Sequence, residues 1–213
     1  MSEHLRDEST DEFPTVETET AFRSGRVIDV RVDRVAMPGG NVATRDVVVH
    51  PGAVGVIVMN EREEILLLRQ YRHPVKRYLW EPPAGLLDVA GEDPLAAVKR
   101  ELHEEAHLEA GRWDVLVDAF TTPGGSEEAV RVYLARDVRE SSGDRFAGED
   151  EEADMPTQWV PLGEAVAAAL EGRLHNPLAI MGILACAAAA GSSYRSLRPA
   201  DAPWPERPGA RSR

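Results

Sequence analysis

Early in the chain, apolar and charged residues alternate: between Arg26 and Met37, Ile28, Val30 and Val32 take turns with Asp29, Arg31 and Asp33. A period of two predicts a half-buried strand. Pro38, Gly39 and Gly40 break it, and a second strand from roughly Ala43 to His50 completes a hairpin ahead of the main domain. The runs Ala53–Met59 and Ile65–Arg69, joined by the polar turn Asn60–Glu63, predict a second pair with the apolar character of central strands. A helix is expected over about 94 to 107, because Asp93 can cap it, Pro94 suits its first turn, and the apolar spacing through Ala106 is helical. Further strands are expected at Trp113–Ala119, Ala129–Ala135 and Gln158–Val160, and helices at about 163–171 and 177–190. The mixture predicts one α/β or α+β domain. Residues 1–21 are polar and acidic and read as a frayed segment, and the proline-rich stretch 192–213 reads as a flexible tail.

With 213 residues, 43% hydrophobic and 29% charged, the chain suits one globular domain with an appendage. The apolar run Pro177–Gly191 is shorter than the roughly 18–20 residues a bilayer requires, and the start MSEHLRDESTDEF lacks a signal-peptide pattern. A cytoplasmic protein with no membrane partner is expected. Cys186 is the only cysteine and lies in an apolar run, which excludes an intrachain disulfide and a multi-cysteine metal site and predicts a buried thiol. A net charge of −13 disfavours nucleic acid as a partner and favours a small one. If that partner is a phosphate ester, metal ions or a few placed arginines must offset the protein's own field. No internal repeat, dinucleotide-binding glycine pattern or Walker loop is present.

The chemistry concentrates in GLLDVAGEDPLAAVKRELHEEAHL, Gly85–Leu108. On the expected helix Glu101, Glu104 and Glu105 stand at i, i+3 and i+4, an acidic ridge beside the stripe Leu95, Val98, Leu102 and Ala106 that would face a core. Like charges this close cost a few tenths of a kcal/mol per pair, and the helix dipole disfavours them near its C-terminus. A divalent cation with oxygen ligands would offset that cost. A solvated face, with Arg100 pairing to Glu104, explains the ridge on its own terms equally well.

The surrounding spacing resembles the Nudix box: Glu92, seven intervening residues, then Arg100, Glu101, Leu102, His103, Glu104 and Glu105. Two departures stand out. Six residues separate Gly85 from Glu92 where the family has five, and His107 stands where it usually has glycine. The resemblance implies a Nudix fold, a mixed sheet sandwiched by helices, over about residues 51–191, with an N-terminal β extension over 22–50. It also implies Mg²⁺, with Mn²⁺ as a possible substitute, held by Glu101, Glu105 and the backbone carbonyl of Ala84. Glu104 would serve as ligand or catalytic support, and Arg100 would orient a ligand glutamate.

Features outside the box are similar to those of the ADP-ribose pyrophosphatase branch: the N-terminal extension, E-P-P-A-G at Glu81–Gly85 and P-G-G-S-E at Pro123–Glu127. This implies hydrolysis of ADP-ribose to AMP and ribose 5-phosphate. It also implies a homodimer joined by the extension, and substrate contacts from Arg45, Arg72, Trp80, Glu81 and Ser126. The general base is expected on the acidic loop Ala147–Met155, with Glu152 ahead of Glu151. Another nucleoside diphosphate sugar or a dinucleotide is the alternative substrate, and a non-catalytic ligand-binding regulator is the alternative outside the enzyme class.

Overall fold

The computed structural model describes residues 11–23, 27–142 and 155–207, which fall into two units. The first lies within Met1–His50 and Thr122–Glu128. It holds an antiparallel sheet in the order β1 (Thr15–Arg23), β2 (Asp29–Ala36) and β3 (Val42–Val49). β2 and β3 form the expected hairpin, with Asp29 opposite Val49 and Ala36 opposite Val42. β1 takes in the last third of the stretch read as frayed. Its apolar residues Val16 and Phe22 are exposed, so the pattern carried little burial signal; the backbone ladder to β2 and the Thr18 hydroxyl donating to Asp33 at 2.9 Å hold it. The loop 122–128 completes this unit, with Gly125 O accepting from Val48 N–H at 2.8 Å and Glu127 accepting from Arg31 at 2.8 Å.

The second unit, Pro51–Thr121 with Ala129–Arg213, begins with β4 (Ala53–Val58), β5 (Glu64–Arg72), β6 (Arg77–Glu81) and β7 (Ala84–Leu86). It continues with α1 (Pro94–Ala106), β8 (Leu108–Phe120), β9 (Ala129–Glu140), β10 (Thr157–Pro161), α2 (Leu162–Leu170), α3 (Pro177–Ala190) and β11 (Arg198–Pro199). One sheet has the order β11-β8-β9-β4-β7, with β4 and β9 parallel, and a smaller antiparallel sheet has the order β10-β5-β6. Strand alternation sends β4 and β9 to two cores at once. Val54, Val56, Val58, Tyr133 and Ala135 join Val98 and Leu102 of α1 in one cluster, whereas Ile57, Val132 and Leu134 join Ala179 and Ile183 of α3 in the other. Strands buried on both faces read as continuous apolar runs, which is why the sequence pattern marks β4 as central. The result is the expected mixed sheet between helices. α3 comes close to it: a Cβ at Gly182 would stand 2.7 Å from Ile57 Cγ1.

Cys186 is fully buried, and burial pushes its thiol up to about 12. Among the described residues no helix is long and apolar enough to cross a membrane. The stretch read as a tail instead carries β11, paired with β8 at Arg198–Val115, and a buried Trp204. Its prolines and low apolar content pointed to disorder, but one aromatic anchor and partners far back in the chain outweigh local composition.

Candidate functional site

The acidic ridge rides on α1, and local chemistry explains why that helix starts and stops where it does. Asp93 accepts from Leu95 N–H and Ala96 N–H at 3.0 and 3.1 Å, and Pro94 fills the first turn, where its missing N–H costs nothing. Ala97, Val98 and Leu102 are fully buried, and full burial of a valine or leucine side chain contributes about 1.5–3 kcal/mol. The helix ends at His107, which takes the left-handed conformation (φ 55°, ψ 39°) and whose N–H reaches the carbonyls of Leu102 and His103. A Cβ in that conformation costs roughly 1–2 kcal/mol relative to glycine, and His107 Nδ1 is buried without a hydrogen-bond partner. His107→Gly is therefore expected to raise Tm by about 2–4 °C per kcal/mol recovered, and a lowered Tm by calorimetry would contradict this reading.

β7 brings backbone to the ridge. Glu105 Oε2 accepts from Ala84 N–H at 2.9 Å, so the last acid of the helix is tied to the first residue of the strand. Gly85 provides the complementary fit: a Cβ there would lie 2.1 Å from both Cδ and Oε1 of Glu101. Glycine at 85 is required by close approach, because the Glu101 carboxylate occupies the space a side chain would take.

Arg100 binds the cluster together. Its Nε and Nη2 donate to Glu92 Oε1 and Oε2, each at 3.1 Å, a bidentate grip, while Nη1 donates to Glu101 at 2.6 Å and Glu104 at 3.1 Å. The hydrogen bonds it donates to Glu92 are the main cause of a guanidinium pKa raised above its ordinary value. Burial opposes them, and the charges of Glu101, Glu92 and Glu104 add to them. The expected i, i+4 pair with Glu104 is thus present as one of four contacts. Glu92 belongs to the box, but its structural task was not read from the sequence, because its link to Arg100 crosses from the loop to the helix and has no helical period.

Among the described residues, no three acidic, histidine or cysteine side chains meet closely enough to hold a metal ion. Between Glu101 and Glu104 the positive charge is that of Arg100. The donors nevertheless suit a hard divalent cation, being carboxylate and backbone oxygens only, with a strand approaching the carboxylate of Glu101 through a glycine.

The other candidate residues lie as follows. Arg72 Nε donates to Glu81 Oε1 and Oε2 at 2.9 and 3.1 Å and Arg72 Nη2 also reaches Oε2, while Glu81 is 2% exposed. Glu81 is thus a buried holder for Arg72. Trp80 packs partly buried against the cluster of α2 and α3. Arg45 and Ser126 belong to the first unit: Arg45 Nη1 donates to Thr44 O at 2.8 Å, and Ser126 Oγ accepts from Glu128 N–H at 3.1 Å. Glu151 and Glu152 lie outside the described residues.

The NUDIX domain family matches residues 49–179. An ADP-ribose pyrophosphatase of Mycobacterium tuberculosis (strain ATCC 25618 / H37Rv) is 45% identical over 99% of this chain and 96% of its own. A methanol dehydrogenase activator of Bacillus methanolicus is 35% identical over 81% of this chain and 91% of its own. A crystal structure of an ADP compounds hydrolase superposes with a TM-score of 0.72 at 21% identity, covering 89% of this chain and 100% of that one, a likeness of fold. With the box residues in the arrangement described and a match over more than half of its length, the chain belongs to the Nudix family.

Proposed function

We propose that this protein is a pyrophosphohydrolase that splits the diphosphate of ADP-ribose into AMP and ribose 5-phosphate, with Mg²⁺ as its metal and Mn²⁺ as a working substitute. The observation that carries the reading is the contact of the acidic ridge with β7: Glu105 on Ala84 N–H, Glu101 against Gly85, and Arg100 gripping Glu92, Glu101 and Glu104. The near full-length likeness to an ADP-ribose pyrophosphatase supports the substrate.

Glu101, Glu105 and the Ala84 carbonyl would hold the ion, with Glu104 as a further ligand or support and Arg100 keeping the carboxylates oriented. A bound divalent ion supplies charge neutralisation for the diphosphate and a more acidic water. Arg72, its fork fixed by buried Glu81 and its side chain 43% exposed, is assigned to the substrate's phosphates, Trp80 to its base, and Arg45 and Ser126 to further substrate contacts. In the hydrolytic step a water oxygen bonds to one phosphorus, the bridging oxygen leaves with the other phosphate, and the water's proton passes to a base. Glu152 is assigned that role, and a Glu152→Gln variant with unchanged kcat would remove it.

The three-stranded sheet of the first unit is assigned to a homodimer interface. It exposes Val16, Phe22 and Val42, and a small sheet gains stability by covering such a face. A monomer in sedimentation at micromolar concentration would count against it.

The substrate is tested by comparing kcat/KM for ADP-ribose, a GDP-sugar and a dinucleotide at saturating Mg²⁺. ADP-ribose is expected to lead by about tenfold or more, which corresponds to about 1.4 kcal/mol of preferential transition-state binding. A higher kcat/KM for either competitor would move the assignment to that substrate.

A further inference from the structure

The family match ends at residue 179, yet the chain beyond it returns to the box. β11 pairs with β8, and Arg198 Nη1 donates to Asp118 at 2.7 Å. Arg131, 2% exposed, donates to the same carboxylate through Nε at 2.8 Å and Nη2 at 2.9 Å, and it also reaches the carbonyls of Ala202 at 2.7 Å and Pro203 at 3.1 Å. The Trp204 ring lies 4.8 Å from that guanidinium and is buried in the cluster beneath α1. A buried guanidinium left without partners is costly, so Arg131 and Asp118 fix this stretch of backbone in one place. Just past the anchor, Arg207 Nη2 donates to the backbone carbonyl of Glu92 at 3.1 Å.

That contact lands on the residue from which the box is organised. Glu92 sits in the connection between β7 and α1, where Asp88, Val89 and Ala90 are exposed and Gly91 has φ +79°. Its carboxylate must nevertheless stay aligned with two donors of Arg100, whose remaining contacts place Glu101 and Glu104. Holding the Glu92 carbonyl fixes the origin of this series of contacts.

We propose that residues 198–207 are a strap that sets the position of Glu92 and, through it, of Arg100 and the ridge carboxylates, with Arg207 as the positioning residue. This deepens the proposed function and rests on that reading for its effect on turnover. Arg207 touches no reacting group; it acts through the Glu92 backbone.

The test uses the full chain with Arg207→Ala and Arg207→Lys. Three quantities are measured: exchange with water of the Arg100 Nε–H in metal-free protein by NMR, kcat and KM for ADP-ribose at saturating Mg²⁺, and Tm. In Arg207→Ala, exchange at Arg100 is expected to quicken about tenfold and kcat to fall about tenfold with KM within about twofold, since small misplacements of positioned groups act mainly on the reacting geometry. Arg207→Lys keeps a donor and should restore most of both. A lowered Tm with the Arg100 signal and kcat unchanged would mean a purely structural segment and would overturn the proposal. If the unmodified protein fails to turn over ADP-ribose, the functional reading fails by itself. The Arg100 exchange then still decides the strap: faster in Arg207→Ala supports it, and unchanged overturns it.

Discussion

Replacing Glu105 by Gln is expected to lower turnover of ADP-ribose by several orders of magnitude while the protein stays folded. The amide of Gln keeps an oxygen that can accept from Ala84 N–H, now at 2.9 Å from the carboxylate, so the tie between α1 and β7 survives in weakened form. Hydrogen bonds to charged groups contribute about 1.5–3 kcal/mol against about 1 for neutral ones, which limits the stability loss to roughly 0.5–2 kcal/mol. What disappears is the negative charge, and with it the attraction for a divalent ion that neutralises the diphosphate as charge develops. Stability and turnover should separate: a near-native melting curve with near-zero kcat. Near-normal kcat in this variant would transfer the role to another carboxylate.

The second large effect is expected from a methyl group. In Gly85→Ala the new Cβ would fall 2.1 Å from Glu101 Cδ and Oε1 and 2.5 Å from its Cγ, distances no real contact sustains. The obstacle is the end of a flexible side chain, so the strain is relieved when Glu101 swings away from β7, and the backbone pairing of Gly85 with Val54 need not change. The displaced carboxylate leaves its 2.6 Å contact with Arg100, and positioned groups moved by about 1 Å can cost about 10² in rate. Gly85→Ala should thus lose about 10² or more in kcat with a Tm shift of only a few degrees. A variant with full activity would show that Glu101 does not need this position.

Legibility in the sequence followed the physical origin of each element. α1 was readable because its cap Asp93, its Pro94 and its stripe of Val98 and Leu102 are local signals that agree. β4 was readable because burial on both faces leaves an uninterrupted apolar run, and β9 because only the buried Arg131 interrupts the run Ala129–Ala135. β1 was not, since its residues Val16 and Phe22 stay exposed and the strand depends on its ladder with β2. The three-residue β7 is too short for a period to show. β11 is held by β8 and Asp118, and the Trp204 stretch by Arg131 and a cluster from distant parts of the chain; no local pattern announces such partners.

The site divides in the same way. The spacing of Glu101, Glu104 and Glu105 declares a ridge on one helix, and the box supplies Arg100. The identity of Gly85 as the space for a carboxylate, the double grip of Arg100 on Glu92, and the burial of Glu81 under Arg72 are tertiary facts that depend on which strand meets which helix. Sequence spacing marked the acids; the contact with β7 shows what fixes them.

Metal-dependent hydrolysis at this ridge is decided by following AMP release from ADP-ribose by protein prepared free of metal. With added Mg²⁺, AMP and ribose 5-phosphate are expected in equal amounts, and excess EDTA should stop the reaction until Mg²⁺ is restored. Turnover that persists undiminished in EDTA, or ADP-ribose left intact at saturating Mg²⁺, would contradict it.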